Sequence, residues 1–362
     1  MKSNYTLFTP GPVDVPAEVL SATAGPLFYH RDVAFGDLLG DLTDNLKKLI
    51  SARSCDIFYF TSSGTGGMEA ACCNLLSRND RPIVAISGKF GERWLELCST
   101  YGIEPDVVRA EYGRSITPDQ IEQALRRGPG STVILTTLTE TSTGALNDIR
   151  KFGEISVKYG AYLVVDGVAG VGADACPQDD WHVDVLIGAS QKALMTPPGI
   201  AFVSLSKRAL LRVNDSDLPK YYFNIKTYEK YRKKNQTPFT PAITIINGLK
   251  KGLDIILEHG VEANLDKHRE IAAYVRNRAC GMGFELMPES PSNALTVLKM
   301  PPGKDSTVII KEVKEKYGIL FANGQGDLKG TIIRIGHMGN YTIEKLARAL
   351  DALQAVVGQG GQ

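Results

Sequence analysis

The chain has 362 residues, 43% of them hydrophobic, with 41 Lys and Arg against 40 Asp and Glu and a net charge of +1. That length is ample for two domains with full cores, and the near-neutral balance carries no bias towards nucleic acid or a membrane surface, which leaves a small-molecule partner as the favoured class. The first residues carry no apolar leader, no long apolar run follows, and the six cysteines show neither a CxxC pair nor metal-ligand spacing with the five histidines; the expected protein is cytoplasmic, with free thiols and no metal site.

Thr9-Pro10-Gly11-Pro12-Val13-Asp14-Val15-Pro16 is too rich in proline for a helix or strand and reads as part of an extended arm, taken as residues 1–20. Beyond Val33, the residues Phe35, Leu38, Leu39, Leu42, Leu46, Leu49 and Ile50 recur at three- and four-residue steps, which predicts an amphipathic helix. Residues 56–61 predict a strand that runs into Ser62-Ser63-Gly64-Thr65-Gly66-Gly67, after which Met68-Glu69-Ala70-Ala71 opens a helix. A strand, a Ser/Gly turn and a helix start gather backbone N–H groups and the positive helix end around one point, which makes an anion site; a plain glycine turn is the alternative. Neither GxxxxGK[ST] nor GxGxxG is present, so a single phosphate fits better than a dinucleotide.

Strand and helix then alternate. Strands are expected at 83–86, 104–109, 132–137, 161–165, 183–187 and 200–205, and helices at 90–101, 117–127 and 149–159, with Thr117 capping the second and Pro118 in its first turn. This order implies an α/β fold, a mostly parallel sheet flanked by helices over residues 21–258. The polar turns at Glu140-Thr141-Ser142-Thr143-Gly144, Asp166-Gly167 and Ser190-Gln191-Lys192 all follow strand carboxyl ends, where open α/β sheets bind ligands. Residues 207–236 read as polar and irregular, with Tyr221, Tyr222, Tyr228 and Tyr231 among lysines; between a nucleic-acid surface and a covering loop or subunit contact, the neutral balance favours the second. Helices at 243–258, 265–280, 307–317 and 343–356 and strands at 295–298 and 332–335 complete the pattern, with residues 259–362 as a smaller α+β domain and a flexible end at 358–362.

Lys192 stands just past a strand end and is backed by the stiff turn Thr196-Pro197-Pro198-Gly199. A loop lysine is ordinarily solvated. One held at a sheet edge suits Schiff-base chemistry, which needs the free amine of a group whose usual pKa is about 10.4. Ser63-Gly64-Thr65, Phe90, Asp166 and Lys192 together offer an anion cradle, a ring-stacking face, a carboxylate for a pyridine nitrogen and an amine for an aldehyde. Those are the four functions that pyridoxal 5′-phosphate requires.

On these residues the sequence resembles the class V aminotransferases of fold type I, most closely their alanine-glyoxylate/serine-pyruvate branch, from Thr9-Pro10-Gly11-Pro12 to Arg334-Ile335-Gly336. Ser63-Gly64-Thr65 is similar to the family's phosphate turn, the run from Glu140 to Gly144 to its Ser/Thr-Gly motif, Asp166-Gly167-Val168 to its pyridine-contacting segment, and Gly188-Ala189-Ser190-Gln191-Lys192 to its Schiff-base motif. The resemblance implies that Lys192 holds the cofactor, Asp166 pairs with the ring nitrogen, Phe90 stacks on the ring, and Gln191 and Thr141 touch the ring or its hydroxyl. Arg334 resembles the family arginine that grips the substrate carboxylate, a task suited to the guanidinium fork; read alone, an arginine between isoleucines serves equally well in a structural ion pair. By the same resemblance Thr240 reaches the phosphate of a neighbouring subunit, which implies a homodimer with sites at the subunit interface, and His30 and Arg31 face the partner's site.

The implied activity is transamination from a small amino acid, alanine or serine in type, to a small 2-oxo acid such as glyoxylate or pyruvate, with Lys192 moving the proton. A pyridoxal-phosphate lyase or desulfurase on the same fold is the alternative. Against it, Phe90 stands where family desulfurases stack histidine, and no cysteine follows Cys280. Thr65 stands where some relatives carry histidine, and the loop Gly324-Gln325-Gly326 has no signature that names the amino donor.

Overall fold

Seven strands form one sheet in the order Asp56–Ser62, Gly199–Leu205, Val185–Ala189, Tyr162–Asp166, Val133–Thr137, Ile83–Ile86 and Asp106–Arg109, in a computed structural model that describes residues 5–128 and 132–358. Positions 359–362, most of the end expected to be flexible, lie outside the described residues. Gly199–Leu205 runs antiparallel to both neighbours, and the other pairings are parallel. The central strands are nearly continuous apolar runs, buried along almost their whole length, as a sheet covered by helices on both faces requires.

The helices begin and end where their side chains dictate. Val33–Leu49 buries Phe35, Leu39, Leu42, Leu46 and Leu49 in one stripe and starts at Asp32, whose carboxylate accepts from the Ala34 amide at 3.0 Å. Pro118–Arg127 carries a capping box between Thr117 and Gln120, and Ile149–Tyr159 runs from the Asp148 cap to a left-handed Gly160.

Among the departures from the sequence pattern are two beside the first sheet. The helix expected to open at Met68 opens at Gly64, so the glycine run forms the first turn of Gly64–Leu75; packing on Val185–Ala189 and Gly199–Leu205 outweighs the poor helix propensity of glycine. Residues 207–236, expected to be irregular, hold the helices Lys207–Arg212 and Ile225–Arg232. Their tyrosines build an aromatic cluster, with Tyr228 at 4.5 Å from Phe60 and Tyr222 stacked on Phe239 at 5.3 Å between ring centroids. The intervening lysines masked this apolar face in the sequence.

A second sheet has the order Thr6–Phe8, Ile319–Asn323, Ile332–Gly336, Leu295–Lys299 and Glu285–Leu286. It shares a core with the helices Val261–Gly281, Ser306–Tyr317 and Ile343–Gly358. Its first strand comes from the arm, which pairs in parallel with Ile319–Asn323. Phe8 packs on Phe321 and Tyr341, and the Tyr341 hydroxyl donates to the Leu7 carbonyl at 2.6 Å. Among the described residues no helix is long and apolar enough to cross a membrane.

The arm is thus anchored just before it reaches Pro10. Tyr341→Phe removes the anchoring hydroxyl and is expected to cost about 1 kcal/mol and to speed proteolysis around the arm. Thermal melting and limited proteolysis check this, and a variant indistinguishable from wild type in both would show that the hydroxyl does not hold the arm.

Candidate active site

The polar turns that follow the parallel strands close around one cavity of about 130 Å³. Ser63, Gly64 and Thr65 stand at the start of Gly64–Leu75, Phe90 in the first turn of Lys89–Thr100, and Thr141 on the hairpin between Thr139–Glu140 and Ala145–Leu146. Asp166 and Val168 come from the end of Tyr162–Asp166, and Gln191 and Lys192 from the end of Val185–Ala189. All of these line the cavity, together with Met68, Arg93, Thr139 and Ala169.

Lys192 reaches across to the arm, where its Nζ donates to the Pro10 carbonyl at 2.6 Å. Gly11 makes that approach possible, because a Cβ there would lie 2.4 Å from Nζ and its φ of +129° favours glycine. Burial lowers the lysine pKa to about 8, opposed by the Asp166 charge and reinforced by Arg334 and Arg93. A useful fraction of neutral amine therefore exists near neutral pH, which a solvated lysine lacks.

Asp166 is 6% exposed and accepts from the Val168 amide at 2.9 Å. Burial pushes its pKa up to about 6, and the Glu140 charge adds to this, while the Val168 amide, Arg93 and Lys192 hold it down. At neutral pH it is mostly ionised, as a partner for a protonated ring nitrogen must be.

Two features of the cavity call for groups that the protein does not supply. The buried Gln191 Oε1 has no hydrogen-bond partner, and Ser63 provides no side-chain cap at the start of Gly64–Leu75. The first needs a donor and the second an anion. Pyridoxal 5′-phosphate fits this donor set, with its hydroxyl for Gln191, its phosphate for the helix start, its ring for Phe90 and its aldehyde for Lys192. When bound, it supplies an electron sink for charge left on an amino acid α carbon.

Arg334 stands directly behind the cavity wall. It is 8% exposed, its Nε donates to the Asn323 carbonyl at 2.8 Å, and its Nη1 donates to the Thr141 carbonyl at 3.1 Å. Both partners are carbonyls, so a structural ion pair is not what it forms, and among the described residues Nη2 has no partner. Burial lowers its pKa to about 10, with the Glu140 charge opposing.

Thr240, His30 and Arg31 do not line the cavity of this chain. Thr240 is exposed. Arg31 donates to the Thr237 carbonyl at 2.6 Å and the Pro238 carbonyl at 2.9 Å, and its guanidinium lies 4.8 Å from the Tyr231 ring. It clasps the segment that carries Thr240, with His30 beside it.

Sequence reading missed Arg93 and Glu140. Arg93 lies one turn beyond Phe90, with its guanidinium 4.9 Å from that ring, and its spacing of three residues was the available signal. Glu140 is fully buried and accepts from the Phe90 amide at 3.0 Å. An acidic residue heading a run of small hydroxyl residues was the clue there.

The sequence pattern of the Aminotransferase class-V family matches residues 20–325. The chain is 34% identical over 349 residues to the L-aspartate–glyoxylate aminotransferase of Paracoccus denitrificans, covering 94% of this chain and 88% of that one. It is 31% identical over 349 residues to the serine–glyoxylate aminotransferase of Methylorubrum extorquens, covering 92% and 86%. The crystal structure of an alanine–glyoxylate aminotransferase from Nostoc sp. matches with a TM-score of 0.94 at 25% identity, over 98% of this chain and 95% of that one. With the cavity and these similarities in agreement, the chain belongs to the class V aminotransferases and is a pyridoxal 5′-phosphate-dependent transaminase of fold type I.

Proposed function

We propose that the chain moves an amino group from a small amino acid, alanine or serine in type, to a small 2-oxo acid such as glyoxylate or pyruvate. The observation that carries this reading is the convergence of Lys192 and Asp166 in one cavity beside the uncapped start of Gly64–Leu75. Glyoxylate appears in the names of all three similar proteins above, which supports it as an acceptor. In this reading Ser63, Gly64 and Thr65 hold the phosphate, Phe90 stacks on the ring, Val168 packs beside it, Asp166 pairs with its nitrogen, and Gln191 and Thr141 serve its hydroxyl. Lys192 holds the cofactor and moves the α proton of the donor, and Arg334 offers Nη2 to the donor's carboxylate. Desulfurase chemistry has little support, since among the described residues no cysteine lines the cavity. Assay of amino donors in turn with glyoxylate and with pyruvate tests the pairing, and no turnover with any small donor would refute it.

Three apolar cores, two drawn from residues 35–256 and a third mostly from residues 271–356, support a cofactor-binding domain of 21–258 and a small domain of 259–362, with the arm of 1–20 adding Phe8 and Val13 to the third core. Six free thiols, five of them buried, are consistent with a cytoplasmic location. Leu27, Tyr29, Val33 and Tyr221 are exposed apolar side chains around the segment clasped by Arg31, and we assign that face to a second copy of the chain, whose site receives Thr240. Sedimentation should give a dimer, and Thr240→Ala should weaken cofactor binding; a monomeric, fully active enzyme would rule this out.

Attack on the cofactor aldehyde requires the neutral lysine, so lowering the Lys192 pKa shifts reactivity to lower pH. Cofactor uptake by the cofactor-free protein should rise with pH around a midpoint near 8, and borohydride should fix the label on Lys192. A midpoint above 10, or a label on another lysine, would contradict the assignment.

Arg334→Lys should keep the fold and the bound cofactor yet raise KM for alanine about tenfold or more, because a point charge cannot reproduce the two-bond fork. An amine without a carboxylate should be much less affected. Equal losses on both donors, or a lowered melting temperature alone, would count against a carboxylate clamp.

A further inference from the structure

Glu140 lies outside the cavity, yet it joins three of the groups assigned to ligand binding. It is 0% exposed, and both of its oxygens are filled. Oε2 accepts from the Phe90 amide at 3.0 Å and the Gly91 amide at 2.9 Å, and Oε1 accepts from the Ser142 amide at 3.0 Å and the Ser142 hydroxyl at 2.6 Å. Four donors face it, and only the ionised carboxylate can accept from all of them. Burial raises its pKa, and the hydrogen bonds from Ser142, Gly91 and Phe90 oppose that rise.

The helix Lys89–Thr100 begins at Gly88, which has no side chain with which to cap it. The hairpin supplies the cap instead. The Ser142 hydroxyl accepts from the Lys89 amide at 3.0 Å, and Glu140 takes the next two amides. A carboxylate at a helix start is also favoured by the helix dipole. Gly88 lets the hairpin close on the helix, since a Cβ there would lie 2.4 Å from the Ser142 hydroxyl oxygen and 2.6 Å from the Glu140 carboxyl carbon. The residue that follows, Thr141, lines the cavity, and its carbonyl holds Arg334 at 3.1 Å.

We propose that Glu140 is a positioning residue that locks the ring-stacking Phe90, the cavity face of Thr141 and the substrate-side Arg334 into one rigid unit. This rests on the roles proposed above for those three residues. The carboxylate sets where Phe90 stands, because it owns the amide of that residue and of the next. Through Thr141 it sets the distance from the stacking ring to Arg334, and so the register between bound cofactor and donor carboxylate.

The test uses the holoenzyme. In Glu140→Gln an amide NH₂ must face either the Phe90 and Gly91 amides or Ser142, a donor against donors in both orientations. We expect about tenfold weaker cofactor binding, a changed visible circular dichroism of the bound cofactor, and KM for the amino donor raised more than kcat is lowered. Gly88→Ala leaves the carboxylate intact but wedges the hairpin off the helix, and it should move the same three readouts in the same direction; if the glutamine variant yields no folded protein, this variant decides. A role in stability alone would lower the melting temperature and leave the dichroism and KM at wild-type values, which would overturn the proposal. Wild-type protein that neither binds the cofactor nor transaminates would instead overturn the functional reading on which it rests.

Discussion

Parallel pairing of Tyr162–Asp166 with Val185–Ala189, in a register that sets Asp166 opposite Ile187, is the constraint on which the site depends. An antiparallel pair would place the acid and the lysine at opposite edges of the sheet. A parallel pair places them at the same edge but requires a long crossover, and here residues 167–184 supply it. Asp174, in this crossover, is 4% exposed and accepts from the Thr139 hydroxyl and the Asn293 amide, each at 2.8 Å, and from the Ser292 hydroxyl. At its far end Asp184 accepts from the Leu163 amide at 3.0 Å and from Arg208 at 2.7 Å. The connection that makes the chemistry possible is therefore pinned by buried carboxylates at its middle and its far end, and the first pin also holds the hairpin and the segment that leads into Leu295–Lys299.

Burial does most of the electrostatic work at this edge. It moves Lys192 down to about 8 and Asp166 up to about 6, so an amine and an acid whose ordinary values lie more than six units apart approach each other around neutral pH. Arg93 acts on both in the same direction, lowering the lysine and lowering the aspartate. Its net effect is to keep Asp166 ionised and to favour neutral Lys192, the pair of states that the proposed chemistry uses.

The cavity is lined by residues 63–192, and two contacts tie its wall to the part of the chain that builds the second sheet. Arg334 comes from Ile332–Gly336 in the second sheet and bonds to Thr141 on the hairpin of the first part of the chain. The arm forms a strand of the second sheet and, just beyond it, places the Pro10 carbonyl on Lys192. A hairpin turn thus holds the arginine of the second sheet, and the segment just past the arm's strand holds the lysine, so the position of the small sheet and the placement of the lysine are linked through Thr9 to Gly11.

What was legible in the sequence was whatever depends on local order. Ser63 to Thr65, Thr141, Asp166 and Lys192 each follow an apolar strand run, and in a parallel sheet all strand ends of one sense share an edge, so locating the strands locates the site. The strand Thr6–Phe8 was hidden because it is three residues long, lies just ahead of a proline-rich stretch and gains its partner only from Ile319–Asn323. Arg31 reads as a residue facing a partner, and nothing local announces that its Nη1 and Nη2 also clasp Gln236, Thr237 and Pro238 of its own chain. Glu140 was obscured for a different reason. A carboxylate among serines and threonines reads as one more polar turn residue, and its role appears only when a helix beginning at a glycine, with nothing of its own to cap it, is found to draw its cap from elsewhere in the chain. An uncapped helix start beside a proposed ligand ring is thus a demand for a buried acceptor, and here that acceptor stands one residue before Thr141, whose carbonyl meets the substrate-side arginine.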